Sequence, residues 1–132
     1  MSFKDISRIA GSAMTAQTVR LNTVASNLAN AGTAGTEETA YRARKPVFAA
    51  LPEGNGARVQ VLDVVTNNDP PVGRHEPGNP LADENGMVFY SNVSSVEEMA
   101  DMLAASRAFS TNVEVLARVK GMQQDLLKLG EG

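Results

Sequence analysis

Ser94-Ser95-Val96-Glu97-Glu98-Met99-Ala100-Asp101-Met102-Leu103 opens the stretch Ser94–Leu129, whose reading decides the fold. Either serine can cap a helix, with a glutamate three residues on to close the capping box. No proline follows, and no glycine until Gly121. Apolar residues return at Val96, Met99, Leu103, Phe109, Val113, Leu116, Val119, Met122 and Leu126. Their gaps of three and four, with one of six across Ser106, predict a single helical stripe. Glu97, Glu98 and Asp101 crowd the first turns while Lys120 and Lys128 lie toward the end, as the helix macrodipole prefers. Gly130 is the expected stop. A helix of about 35 residues is roughly 52 Å long. It needs a partner along its length, because propensity alone leaves a helix marginal.

The other end of the chain offers one. From Ser2 to Ala31 the helical period returns at Ile6, Ala10, Ala13, Gln17, Leu21, Val24 and Leu28. That is close to a heptad stripe over about three heptads. Ala10, Ala13, Ala16, Ala25 and Ala29 crowd it, and small residues let two helix backbones approach closely. The segment reads either as an ordinary amphipathic helix or as one strand of a coil that pairs with Ser94–Leu129 and with neighbouring copies. Asn30 and Gly32 are the residues that tolerate a left-handed ending. Thr33 to Thr39 reads as a flexible connection.

Between these helices the period shortens. Tyr41 to Leu51 fits a short or edge strand, since Pro46 cannot serve in a central one. Glu53-Gly54-Asn55-Gly56 is a turn cluster, and Ala57–Thr66 is the strongest strand, with Val59, Val61, Leu62, Val64 and Val65. Asn67–Pro80 holds four of the six prolines and reads as a rigid loop. Asn85-Gly86 marks a turn, and Met87–Tyr90 a closing strand. The expected fold is mainly α with a small β insertion (α+β). Residues 1–32 form an N-terminal helix, 33–93 a loop and β-rich insertion, and 94–132 the long C-terminal helix. The two long terminal helices pair as a coiled-coil-like hairpin and the β-element projects from the middle.

Composition and chemistry exclude several classes. One domain is the bound set by 132 residues, and the 5% aromatic content with no tryptophan limits its core. A net charge of -3 gives no reason to expect nucleic acid or an anionic membrane. Cysteine is absent, which rules out disulfides and thiolate metal sites. No apolar run approaches a membrane span, and the stretch after Lys4 and Arg8 is no signal-peptide core. His75, the one histidine, sits beside Glu76 in the proline-rich loop and reads as solvated. Asp83-Glu84-Asn85-Gly86 has a faint likeness to a calcium loop but lacks the alternating ligands and the distal glutamate, so it reads as a turn. Asn92-Val93-Ser94 fits a glycosylation sequon without a secretory context. Arg42, Arg44 and Lys45 form a solvated or interface face. No metal, cofactor or catalytic residues are expected.

Three motifs carry a resemblance to a known family. Val24-Ala25-Ser26-Asn27-Leu28-Ala29-Asn30-Ala31-Gly32-Thr33 resembles the N-terminal motif shared by bacterial flagellar rod, hook and hook-associated axial proteins. His75-Glu76-Pro77-Gly78-Asn79-Pro80-Leu81-Ala82-Asp83-Glu84-Asn85-Gly86-Met87-Val88 resembles a segment of the short proximal-rod subunits of that family, which commonly have tyrosine at Met87. Ala105-Ser106-Arg107-Ala108-Phe109-Ser110-Thr111-Asn112-Val113-Glu114-Val115-Leu116 is similar to their C-terminal motif, where tyrosine is commoner than Phe109. The resemblance covers nearly the whole chain. It implies a structural subunit of the proximal rod of the flagellar basal body, assembled helically through its terminal helices to transmit torque and form the export channel. It also implies a place in the periplasm-spanning rod, reached by flagellar type III export without a cleaved signal peptide.

The implied partners are copies of itself, other proximal and distal rod subunits, basal-body ring and adaptor proteins, the rod-assembly cap and the export apparatus. No nucleic acid partner or direct membrane insertion is expected. Candidate subunit-contact residues are Ile6, Ala10, Ala13, Leu21, Val24, Asn27, Leu28 and Asn30 on the first helix. On the last they are Met99, Leu103, Phe109, Val113, Leu116, Val119, Met122 and Leu126. The rival reading is a cytoplasmic helical adaptor or chaperone that binds one partner through the same apolar stripe.

Overall fold

Ser2 and Asp5 start the first helix by satisfying each other's backbone. In the computed structural model, which describes residues 1–131, the Asp5 N–H donates to Ser2 Oγ and the Ser2 N–H donates to the Asp5 carboxylate, both at 3.1 Å. This capping box satisfies two of the donors a helix leaves free at its first turn. The Ser2 backbone N–H, then the Ser2 hydroxyl, with the Met1 amino group and Arg8 adding attraction, hold the Asp5 carboxyl below its ordinary value. Helix α1 then runs Phe3–Ala29. Its end departs from expectation. Asn30 sits at φ -103, and among the described residues only Gly54 and Gly86 have positive φ. Side chains replace the left-handed cap: Asn30 Nδ2 donates to the Ser26 carbonyl at 2.9 Å, and Thr33 Oγ1 to the Asn30 carbonyl at 2.8 Å.

Helix α2 spans Ser95–Glu131. Its start is bound by the backbone, the Glu98 N–H donating to the Ser94 carbonyl at 3.0 Å. Among the described residues no serine hydroxyl caps it. Glu97, three residues past Ser94, is exposed, while Glu98 is half-buried with one carboxylate oxygen lacking a partner. Nor does Gly130 stop the helix, which continues through it to Glu131. One isolated glycine costs a helix only about 1 kcal/mol, too little to end 37 residues.

The helices pair antiparallel, as expected. Arg20 on α1 forms an ion pair with Asp101 on α2. Further along, Ile6 and Ala10 share a shallow groove with Asn112 and Val115. In that register Val119 lies level with the first turn of α1. Residues 120–131 therefore extend beyond α1 by about 18 Å.

The middle of the chain makes two separate β pieces. Strands β1 (Ala34–Gly35), β4 (Val72–His75) and β5 (Met87–Tyr90) form a small antiparallel sheet in the order β1-β5-β4. Strands β2 (Arg44–Glu53) and β3 (Gly56–Thr66) form a two-stranded ribbon. The expectation of a β-element projecting from the middle holds for the small sheet, whose strands pack against neither helix nor the ribbon. The ribbon instead lies back along α1. Two differences in strand content have local causes. The rigid loop Asn67–Pro80 contains β4, because its prolines at 70, 71, 77 and 80 flank Val72–His75 without interrupting it. The connection Thr33–Thr39 contains β1 and a closed turn, in which Thr36 and Thr39 exchange side-chain and backbone hydrogen bonds of 2.9 to 3.2 Å.

The ribbon turns on Gly54-Asn55, with Glu53 paired to Gly56 and Gly54 at φ +57, the type II′ arrangement. A Cβ on Gly56 would stand 2.8 Å from Met1 Cε and 2.9 Å from Ile9 Cδ1, so the turn fits closely over the start of α1. Glu53 accepts from Arg8 at 3.2 Å and lies 3.4 Å from Arg58. Farther along, Val47 pairs with Asp63 and Phe48 with Val61, leaving Leu62 as an extra residue. This bulge shifts the alternation so that Val59 and Val64, an odd number apart, both reach α1. Several outward donors of the ribbon are taken or missing. Ser12 Oγ takes the Val59 N–H at 2.9 Å, Asp63 takes the Val64 N–H at 2.7 Å, and Pro46 and Pro52 have none.

Candidate assembly interface

A surface that holds neighbours must be distinguished from one already used within the chain. On α1 two adjoining faces are used within the chain. Its stripe Ile6, Ala10, Ala13, Gln17 and Val24 faces α2, with Ala10 and Val24 buried. The adjoining face, Ser12, Ala16, Val19 and Thr23, meets the ribbon, with Ala16 and Thr23 buried. The Thr23 hydroxyl pays no desolvation penalty because it donates to the Val19 carbonyl at 2.8 Å.

Asn27, fully buried, joins α1 to the ribbon. Its Nδ2 donates to the Arg44 carbonyl at 2.8 Å, and its Oδ1 accepts the Arg44 N–H at 3.0 Å and the Tyr41 hydroxyl at 2.8 Å. The amide thus pairs with β2 as another strand would. Such a role leaves no period in the sequence, since the partners are 14 and 17 residues away.

On α2 the chain uses one face only. Met102, Ala105, Phe109, Asn112, Leu116 and Val119, spaced three and four apart, are half-buried or buried along the side turned toward α1, flanked by half-buried Asp101, Ala108 and Val115. The single stripe expected from Val96 to Leu126 is not one face. At about 100° per residue, Leu103 stands roughly 160° around the helix from Ala105, which is completely buried. An alanine and an asparagine among its members hide the seam from a pattern of large apolar residues. Its alternation of four and three was the available signal.

The candidate contact residues accordingly divide. Ala10, Val24, Asn27 and Val119 are buried within the single chain. Ile6, Ala13, Leu21, Leu28, Asn30, Phe109 and Leu116 are half-buried. Met99, Leu103, Val113, Met122 and Leu126 are exposed, between 42% and 62%. They are joined by Val96 at 79% and by Leu127 and Leu129 at 68% and 78%. Apart from Val113, midway along α2, these exposed residues lie on the outer face of its first turns and on its overhanging end.

The segment His75–Val88 is tied by its own polar groups. The Asp83 carboxylate accepts the N–H groups of Asn85 and Met87 at 2.9 and 2.8 Å, and Gly86 turns at φ +75. Glu76 accepts the Tyr90 hydroxyl at 2.9 Å and the Asn79 amide at 3.1 Å. That hydrogen bond to Glu76 raises the Tyr90 phenol above its ordinary value. Arg74 lies over the Tyr90 ring, 4.6 Å from its centre. His75 is an exposed strand residue paired with Met87, where a solvated loop position was expected. Among the described residues no group of histidine and carboxylate side chains is placed to hold a metal ion, and no helix is long and apolar enough to cross a membrane.

Comparison with known proteins matches the same two helical regions. Residues 8–35 match the family described as flagella basal body rod protein, and residues 84–129 match the flagellar basal body rod FlgEFG protein C-terminal family. Over 134 residues the chain is 46% identical to the flagellar basal-body rod protein FlgC of Escherichia coli O6:H1, covering 99% of this chain and 100% of that protein. The Salmonella typhimurium FlgC is 45% identical with the same coverage. The Agrobacterium fabrum FlgC is 37% identical over 132 residues, 95% of each chain.

Proposed function

The chain belongs to the FlgC family of flagellar basal-body rod proteins, and from that premise we propose how it serves as a structural subunit of the rod. The observation that carries the reading is the exposed apolar residues of α2, above all Met122, Leu126, Leu127 and Leu129 beyond the end of α1. A helix end with this much apolar surface is marginal by itself and gains order by burial against other subunits. Each leucine so covered contributes about 1.5–3 kcal/mol. Subunits therefore join through the outer face and overhang of α2, while α1 and the ribbon keep each subunit's own shape. This deployment suits the proximal part of the rod, where contacts with other rod subunits, with ring and adaptor proteins and with the assembly cap follow from position. Passage through the flagellar type III export apparatus is aided by an end that orders only on arrival.

The test is replacement of the chromosomal gene by a Leu126→Asp, Leu129→Asp variant. Both sites are exposed, so the circular dichroism of the folded part should be unchanged. Cells should fail to swim, and isolated basal bodies should lack the rod. Normal swimming with complete rods would remove the overhang from the interface. A second check needs only the free protein: its far-UV circular dichroism should show less helix than Phe3–Ala29 plus Ser95–Glu131 implies, the deficit vanishing when the chain is cut after Val119.

A further inference from the structure

Four stretches of chain pass between the small sheet and the body formed by the helices and ribbon. Residues 30–33 leave α1 for β1, and 40–43 return to β2. Residues 67–71 run from β3 to β4, and 91–94 from β5 to α2. Since the strands of the small sheet pack on neither helix nor the ribbon, its orientation depends on these crossings. Two consecutive residues connect all four. Ser91, buried, donates from Oγ to the Ala31 carbonyl at 2.7 Å. Asn92 accepts the Ala43 N–H at 2.7 Å through Oδ1 and donates through Nδ2 to the Asp69 carbonyl at 2.9 Å and the Asn67 carbonyl at 3.3 Å. Arg42 reinforces the same crossings by donating to the Asn68 and Asp69 carbonyls, both at 3.1 Å.

We propose that Ser91 and Asn92 are positioning residues of a stiff joint that sets the angle between the small sheet and the helical body. Every hydrogen-bonding position of the Asn92 amide group named above is matched to backbone, so rotation at the joint breaks several bonds at once. Pro70-Pro71 restricts the backbone of one crossing and the Thr36–Thr39 turn closes the loop before another. The consequence is mechanical. A subunit whose helices and outer sheet are held by different neighbours passes twist from one to the other only if this joint does not yield.

The experiment exploits the lack of native cysteine. Cysteines at exposed Gln60 on the ribbon and exposed Leu81 near the small sheet receive spin labels, and pulsed dipolar spectroscopy reads the distance between them. The parent chain should give one narrow distribution. Ser91→Ala with Asn92→Ala should widen it at least twofold, while circular dichroism and amide exchange in β2 and β3 stay as in the parent. An unchanged width with both alanines in place would overturn the proposal. Should the double variant unfold, Arg42→Ala, which leaves both positioning residues intact, must give an intermediate width; no broadening there would overturn it equally.

Discussion

Helices α1 and α2 share a period, but they are covered to very different extents. The shorter is enclosed, with α2 on one side and the ribbon on the next, and its buried positions are alanine, valine, threonine and asparagine. The longer presents one face to α1 and leaves leucine, methionine and valine in solvent. Small residues suit α1 because close approach on two sides is what its position demands. Large apolar residues kept exposed on α2 make sense only where another surface arrives. On the proposed reading, the contrast separates what builds the subunit from what joins it to its neighbours.

The contrast can be broken most forcefully at Asn27. Asn27→Ala leaves the Arg44 backbone pair and the Tyr41 hydroxyl without their shared partner, so the chain should lose about 2–4 kcal/mol in urea unfolding. A loss below about 0.5 kcal/mol would mean that α1 is not fastened to the ribbon there. Leu116 and Val113 sharpen the comparison within α2: they lie about 60° apart around the helix, Leu116 half-buried in the seam and Val113 42% exposed beside it. Leu116→Asp places a charge in the α1 seam and should cost the isolated chain about 2 kcal/mol. Val113→Asp should cost within about 0.5 kcal/mol and yet impair rod assembly, scored by swimming and basal-body microscopy. Equal stability losses would erase the distinction between the two faces.

The smallest effect concerns Asp5. Its folded value lies below the ordinary 3.8, so its contribution is complete above that pH and fades as pH falls through the lowered value. Asp5→Asn should flatten the acid side of the stability curve slightly and leave neutral pH almost untouched. An unaltered acid limb would show that the capping box does not govern the start of α1.

Much of this was legible in sequence. The α1 stripe follows a plain 3.6-residue period, and the strongest strand and its turn announce themselves through valines and Gly54-Asn55-Gly56. Legibility failed where one element serves two partners. On α2 the exposed Met99 and Leu103 and the seam residue Phe109 were read as one stripe because periodicity records hydrophobicity, not which neighbour receives it. It failed again where a single side chain joins distant segments. Asn92 looked like a chance sequon, and nothing local to it announces Ala43 or Asp69.

The ribbon's edges carry a consequence for the chain when it is crowded. Amyloid grows by adding strands at about 4.7–4.8 Å intervals, each held by donors that the previous strand leaves free. Pro46 and Pro52 supply none, and Ser12 and Asp63 have already claimed those of Val59 and Val64. The row of donors that strand addition along the exposed valines and Leu62 would use is therefore interrupted. A rod subunit must be ordered against its neighbours in one way, and these gaps discourage this other way of joining chains.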